Sequence, residues 1–263
     1  MQDFQTRDQG SSGSQDSAGV AYFASQVVSL LAERNLRSPV EPRVSLVKGL
    51  IAASLSGRKD QFAELLAEMR RARVSVAALA DIYIPLAARM MGESWAEDEM
   101  SWLDVTIGVS RLQSLLREIG AAWAADQAGD TGHGTVLLII PDREQHTLGP
   151  MVAMNQMRRF GVSVCLRIAP TTEELRSLVA QRAFDGVMIS VATKDKLDQA
   201  ARTVAFLKTL SASPLPIIVG GAVLTLMDEV ATCTGADLSS NDIGEALEAI
   251  GLKFDSMCVL KRA

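Results

Sequence analysis

The second half of the chain carries four short runs rich in aliphatic and β-branched residues, 136–140, 162–168, 186–191 and 216–219, each followed by a stretch with helical spacing. Short apolar runs without strict alternation belong to strands buried on both faces, and strand–helix alternation builds a parallel sheet with right-handed crossovers. A weaker fifth strand is expected near Ala236-Asp237-Leu238. The predicted fold class over 135–263 is therefore α/β, a flavodoxin-like, doubly wound parallel sheet. The first half is all-α in pattern. Phe23, Val27, Leu30 and Leu31 share one helical face, as do Val44, Val47, Leu50, Ile51 and Leu55, and again Phe62, Leu65, Leu66 and Met69. Pro39, Pro42 and Ser56-Gly57 break these stretches, and two longer helices are expected at about 75–95 and 101–125. Residues 20–127 thus read as a helical bundle cap joined to the sheet by a glycine-rich hinge, 128–134. Residues 1–19, rich in Gln, Ser, Gly and Asp, bury too little apolar surface to order themselves and read as a disordered tail.

Composition removes several function classes. With 31 acidic against 26 basic residues the formal charge is −5, the wrong sign for a surface that neutralises phosphates. The one basic cluster, Arg70-Arg71-Ala72-Arg73, sits where a helix ends and suits its dipole. Cys165, Cys233 and Cys258 are scattered, which fits neither a disulfide framework nor a zinc site. The chain starts without a basic, then apolar, signal segment and has no run long enough to span a membrane, so a soluble cytoplasmic protein is expected. Two histidines leave no room for a hydrolytic triad, and glycine-rich nucleotide loops are absent, so the reading is not an enzyme.

Chemistry concentrates in one loop. After Val136-Leu137-Leu138-Ile139-Ile140 and Pro141 comes Glu144-Gln145-His146-Thr147-Leu148-Gly149, and a helix begins near Gly149-Pro150. An imidazole is thereby placed at the carboxyl edge of the sheet, where such folds bind ligands. A carboxylate two residues before it can hold one ring nitrogen, fix the tautomer and leave the other nitrogen as a metal ligand. Two more strand ends carry marks: Ser190-Val191-Ala192-Thr193 and Gly220-Gly221, at 44 residues from His146 to Ser190 and 30 from Ser190 to Gly220. This pattern resembles the cobalamin-binding Rossmann-like domain, Asp-x-His-x-x-Gly, then Ser-x-Leu roughly forty to fifty residues on, then Gly-Gly roughly thirty further. Glu144 replaces that family's aspartate and Ala192 its leucine. The resemblance implies cobalamin as cofactor, His146 as the metal ligand to its cobalt, and contacts from these three segments, with Ser190 and Gly220-Gly221 lining a slot for the released nucleotide arm.

The bundle carries a second resemblance. Gly92-Glu93-Ser94-Trp95 followed by Glu97-Asp98 is similar to the helix-turn-helix of four-helix caps that lay an indole over the upper face of cobalamin. Photoreceptors of the CarH type place a Glu-His pair ten residues after that tryptophan, where this chain has Val105 and Thr106. Trp95, Val105 and Val109 are accordingly expected on the cofactor side, and Trp102 and Trp123 as packing residues of the last helix. Bundle, sheet and Glu-Gln-His-Thr-Leu-Gly-Pro without a DNA-reading domain resemble the AerR/PpaA antirepressors of photosynthesis genes over roughly 75–250. That resemblance implies a light-responsive transcriptional regulator acting on a DNA-binding repressor of the CrtJ/PpsR type, with DNA touched only indirectly. Hydroxo- or aquocobalamin is favoured over adenosylcobalamin, whose adenosyl group lacks the Glu-His hydrogen bonds. A corrinoid carrier for methyl transfer and a haem or redox sensor remain the alternatives from other classes. His133 reads as a linker residue, unless it reaches the upper cobalt face from above the sheet.

Overall fold

The computed structural model describes residues 41–126, 133–210 and 215–252. The predicted tail, the helix expected around Phe23 to Leu31 and most of the predicted hinge lie outside them. The described residues from Pro42 onward form one compact unit. Its helical part comprises α1 (Val44–Ser56), α2 (Lys59–Arg71), α3 (Ile84–Ala96) and α4 (Trp102–Asp126). A turn at Val76–Ala78, capped by the Ser75 hydroxyl, and a π-helical turn at Leu79–Tyr83 lead directly into α3. The single long helix expected at 75–95 is thus interrupted by a π turn, the kind of bulge that re-aims side chains. Leu50, Tyr83, Ile84, Met91, Leu112 and Leu116 fill the bundle core.

The sheet part alternates β1 (Thr135–Ile140), α5 (Leu148–Arg159), β2 (Ser163–Ile168), α6 (Thr172–Gln181), β3 (Gly186–Ser190), α7 (Leu197–Leu210), β4 (Ile217–Gly220), α8 (Val230–Thr234), β5 (Leu238–Ser239) and α9 (Ile243–Ala249). The strands are parallel in the order β2-β1-β3-β4-β5, the flavodoxin-like order. Alternate residues of each strand enter opposite layers. Leu137, Ile139, Val187, Ile189, Ile217 and Val219 pack under α6, α7 and α8. Val136, Leu138, Met188 and Ile218 pack under α5 and α9. Both faces are covered, which is why the strands read as continuous apolar runs. The α/β plus all-α class expected from the sequence is the class observed.

Helix α5 has two apolar faces. Met154 and Met157 meet the sheet, while Leu148, Met151 and Val152 complete the bundle core, so bundle and sheet share one helix. Arg159, near the end of α5, pairs with Asp81 of the π turn, and its guanidinium lies 4.5 Å from the centre of the Trp123 ring. The aliphatic–aromatic seam is therefore closed at that end by a largely buried charge pair. Trp123 is the packing residue expected. Trp102 is not: its side chain is 63% exposed, because the helix begins there beyond the last residues that could cover it.

Candidate functional site

The three marked segments meet at the carboxyl edge, on neighbouring strands β1, β3 and β4. Ser190 pairs with Gly220, and Val191 N–H donates to the Gly220 carbonyl at 2.8 Å. The loop after β1 is held at three points. At its start the side-chain amide of Gln199 on α7 meets both the carbonyl and the N–H of Asp142, at 3.2 and 3.1 Å. In its middle Glu144 turns inward, with a side chain only 2% exposed. One carboxylate oxygen accepts the backbone N–H of His146 (2.9 Å) and faces its ring Nδ1 (2.8 Å); the other accepts the N–H of Ala192 from the loop after β3 (3.1 Å). At its end the Thr147 hydroxyl accepts from Nε2 of Gln113 on α4, at 2.9 Å.

Glu144 therefore does more than orient a ring. A buried carboxylate on Nδ1 requires the proton there, which leaves the Nε2 lone pair outward on a ring whose side chain is 68% exposed. Burial alone raises the Glu144 carboxyl, but the hydrogen bonds from the His146 backbone and ring and from Ala192 outweigh it, so it ionises below the ordinary carboxylate range. With a lowered native value, its stabilisation is present at neutral pH and lost as acid protonates it below that range. The advantage of the wild type over Glu144→Gln in thermal midpoint should be largest near neutrality and shrink on acidification. A gap independent of pH would show that the carboxylate charge is not what the site uses.

The packing of α4 on α5 fixes what stands over this loop. Gln113 meets Thr147, the Leu116 carbonyl accepts from Asn155 at 3.3 Å, and Trp123 meets Arg159, so residue numbers rise together and the two helices run in the same direction. Helix α5 starts at the carboxyl edge and returns along the sheet, because β1 and β2 are parallel. The three turns of α4 before Gln113 consequently project past the carboxyl edge, by about 16 Å at 1.5 Å per residue. Trp102, Thr106, Val109 and Gln113 fall at helical spacing on one face of this overhang. Trp95, 51% exposed, ends α3 at the same end of the bundle, so it is not a core tryptophan. Val105 and Val109 are half-buried against the bundle core. The Thr106 hydroxyl is engaged by the Trp102 carbonyl and offers its methyl group to the surroundings.

Among the remaining expected residues, Gln145 and Gly149 are exposed, Thr147, Leu148, Ser190 and Thr193 half-buried, and Val191 and Ala192 buried. The glycine pair is demanded from within the chain. A Cβ on Gly220 would lie 2.7 Å from the Ser240 carbonyl, and one on Gly221 2.2 Å from the Val191 carbonyl. Asn241 locks this turn, its side-chain oxygen accepting from Gly221 N–H at 2.7 Å. His133 is not above the sheet. It precedes β1 at the amino edge, its ring set against Gly161, and six residues of strand, about 20 Å, separate it from the His146 loop. Gln113, Gln199 and Asn241 carry no local sequence mark of their roles here, save that Gln113 is a lone amide interrupting the stripe Trp102, Thr106, Val109, Leu116, Trp123.

The chain is 38% identical over 188 residues, 72% of its length and 98% of the other's, to a protein described as an uncharacterized 20.5 kDa protein in the bchF-crtJ intergenic region of Rhodobacter capsulatus. The chain belongs to that protein's family. No family model matches it. Among solved structures, the monomethylamine corrinoid protein of Methanosarcina barkeri superposes with a TM-score of 0.60 at 14% identity, covering 78% of this chain and 94% of that one. The chain thus has the helical-cap and parallel-sheet fold of that corrinoid protein. Among the described residues no helix is long and apolar enough to cross a membrane, and no cluster of three or more His, Cys, Asp or Glu side chains could hold a metal ion.

Proposed function

We propose that the chain binds a corrinoid with His146 as lower axial ligand and works as a light-responsive antirepressor, through a DNA-binding repressor of the CrtJ/PpsR type. The observation that carries this reading is the Glu144 tether: an inward carboxylate that holds Nδ1 and turns Nε2 outward at the ligand-binding edge of a corrinoid-protein fold. A single imidazole is a poor trap for a bare ion, but it suffices for a metal that brings its own equatorial ring. The residues present fit such a group: the ring is exposed, the start of α5 at Gly149 is open, and α4 stands over the loop.

Each side chain has a definable part. Glu144 holds the tautomer, and Ala192 N–H holds Glu144. Ser190, Thr193 and the Gly220-Gly221 turn form the rim beside the ligand, while Trp95, Val105 and Val109 belong to the bundle side. When bound, the corrinoid supplies a photolabile cobalt–carbon bond if alkylated and an exchangeable upper position if not. Val105 and Thr106 offer an adenosyl group no charged or imidazole partner, so the aquo and hydroxo forms are preferred. A cofactor contacting both layers favours their closed arrangement through its differential affinity.

The regulatory half rests on the family relative encoded between bchF and crtJ, the latter bearing the name of the repressor type on which antirepressors resembling this chain act. The net charge of −5 favours a protein partner over phosphates. A corrinoid carrier for methyl transfer is the second reading, supported by the fold shared with the Methanosarcina barkeri protein. The experiment is a titration of the unliganded protein with hydroxocobalamin and adenosylcobalamin, in darkness and red light, followed by footprinting with and without the repressor. Tighter hydroxocobalamin binding and a footprint altered only through the repressor are expected. Equal or tighter adenosylcobalamin binding in the dark overturns the ligand preference. A sequence-specific footprint by this protein alone overturns the indirect mode of action.

A further inference from the structure

Thr147 occupies the N-cap of α5, yet its hydroxyl makes no capping hydrogen bond. Threonine is favoured at that position because its oxygen accepts from the first free helical N–H groups. Here the oxygen is diverted to Gln113, 34 residues away on α4. Gln113 is itself out of pattern, an amide in the middle of an otherwise apolar helix face. Two local preferences are thus set aside for one bond, and that bond ends on the residue next to His146. The peptide carrying the imidazole is pinned on one side to β3 through Glu144 and Ala192, and on the other to the bundle through Thr147 and Gln113.

We propose that Gln113 is a positioning residue for His146, through which the bundle sets the placement of the ring. This rests on His146 being the corrinoid ligand. With Gln113 in place, rigid-body movement of α4 is transmitted to the ligand-bearing peptide, and a load on Nε2 is transmitted back to α4. Gln113→Leu removes the donor while keeping volume, Thr147→Val removes the acceptor alone, and Gln113→Glu keeps a hydrogen bond by accepting from the Thr147 hydroxyl.

Two measurements are made on the 263-residue chain. In the unliganded form, nitrogen-15 NMR of the His146 ring reads tautomer and ordering; in the hydroxocobalamin-loaded form, absorbance reads axial ligation and release rate. Gln113→Leu and Thr147→Val should stay folded with a melting temperature within a few degrees of the wild type, broaden or shift the His146 ring signals, and release corrinoid about 3–10-fold faster, the effect of one hydrogen bond. Gln113→Glu should restore most of both. Wild-type ring signals and release in both Gln113→Leu and Thr147→Val overturn the proposal, as does a Gln113→Glu variant no better than Gln113→Leu. If His146→Ala itself retains corrinoid with an unchanged spectrum, the function proposed above fails, and the role of Gln113 fails with it.

Discussion

His146→Ala is expected to leave the fold standing and to strip the protein of retained corrinoid. The ring is largely exposed, so its loss removes little buried surface, and its loop keeps three anchors that do not involve the imidazole: Asp142 on Gln199, Glu144 on Ala192, and Thr147 on Gln113. Losing the ring's hydrogen bond to the Glu144 carboxylate costs about 0.5–1.5 kcal/mol, too little to unfold the protein, because that carboxylate keeps the backbone N–H groups of His146 and Ala192. Retention should respond far more strongly. Losing a partner behind a metal ligand weakens binding roughly 10–100-fold, and losing the ligand itself removes more than that. Gel filtration of hydroxocobalamin-loaded protein, followed by absorbance, gives the result directly: pigment should run with the wild type and separate from the variant. Stoichiometric pigment with an unchanged spectrum on the variant would refute His146 as the ligand.

That experiment tests what was most legible in the chain. Apolar runs of strand length, a carboxylate two residues before a histidine, and serine and glycine marks at matching intervals located the carboxyl edge. Physics explains why they were readable: strands buried on both faces cannot hide polar residues, and ligand loops follow where strands end. The long-range ties were not readable. Local spacing pairs Glu144 with His146, but its second oxygen also anchors a loop 48 residues away, a pairing set by strand order. Gln113 was hidden because its partner depends on how α4 registers on α5. Trp102, expected to pack, is exposed, because helical periodicity identifies a face but not where the covering elements stop. Which edge of the sheet His133 stands at could not be read from its place before β1; the start of that strand fixes it at the amino edge, too far from the His146 loop to reach a ligand there.

Glycines at the site divide by what surrounds them, and alanine substitutions should divide the same way. Gly221 has φ of +113° and ψ of −179°, and a Cβ there would meet the carbonyl oxygen of Val191 at 2.2 Å. That oxygen accepts from Val223 N–H, and Val191 N–H donates to Gly220, so neither side of the clash can retreat without opening the β3–β4 edge. Backbone strain and overpacking together should lower the stability of Gly221→Ala by about 3–5 kcal/mol, visible as a large drop in melting temperature. Gly149 is the contrast. No heavy atom lies within 4 Å of its would-be Cβ, and it sits in the first turn of α5, where alanine is the better helix former by up to about 1 kcal/mol. The described residues give no reason for a glycine there, but the proposed corrinoid, held at Nε2 of His146, would need the start of α5 clear. Gly149→Ala should therefore melt at or above the wild type while holding hydroxocobalamin about 10-fold more weakly, roughly 1.4 kcal/mol of lost contact. Wild-type retention by Gly149→Ala would place the ligand away from the start of α5 and overturn the reason given for the glycine.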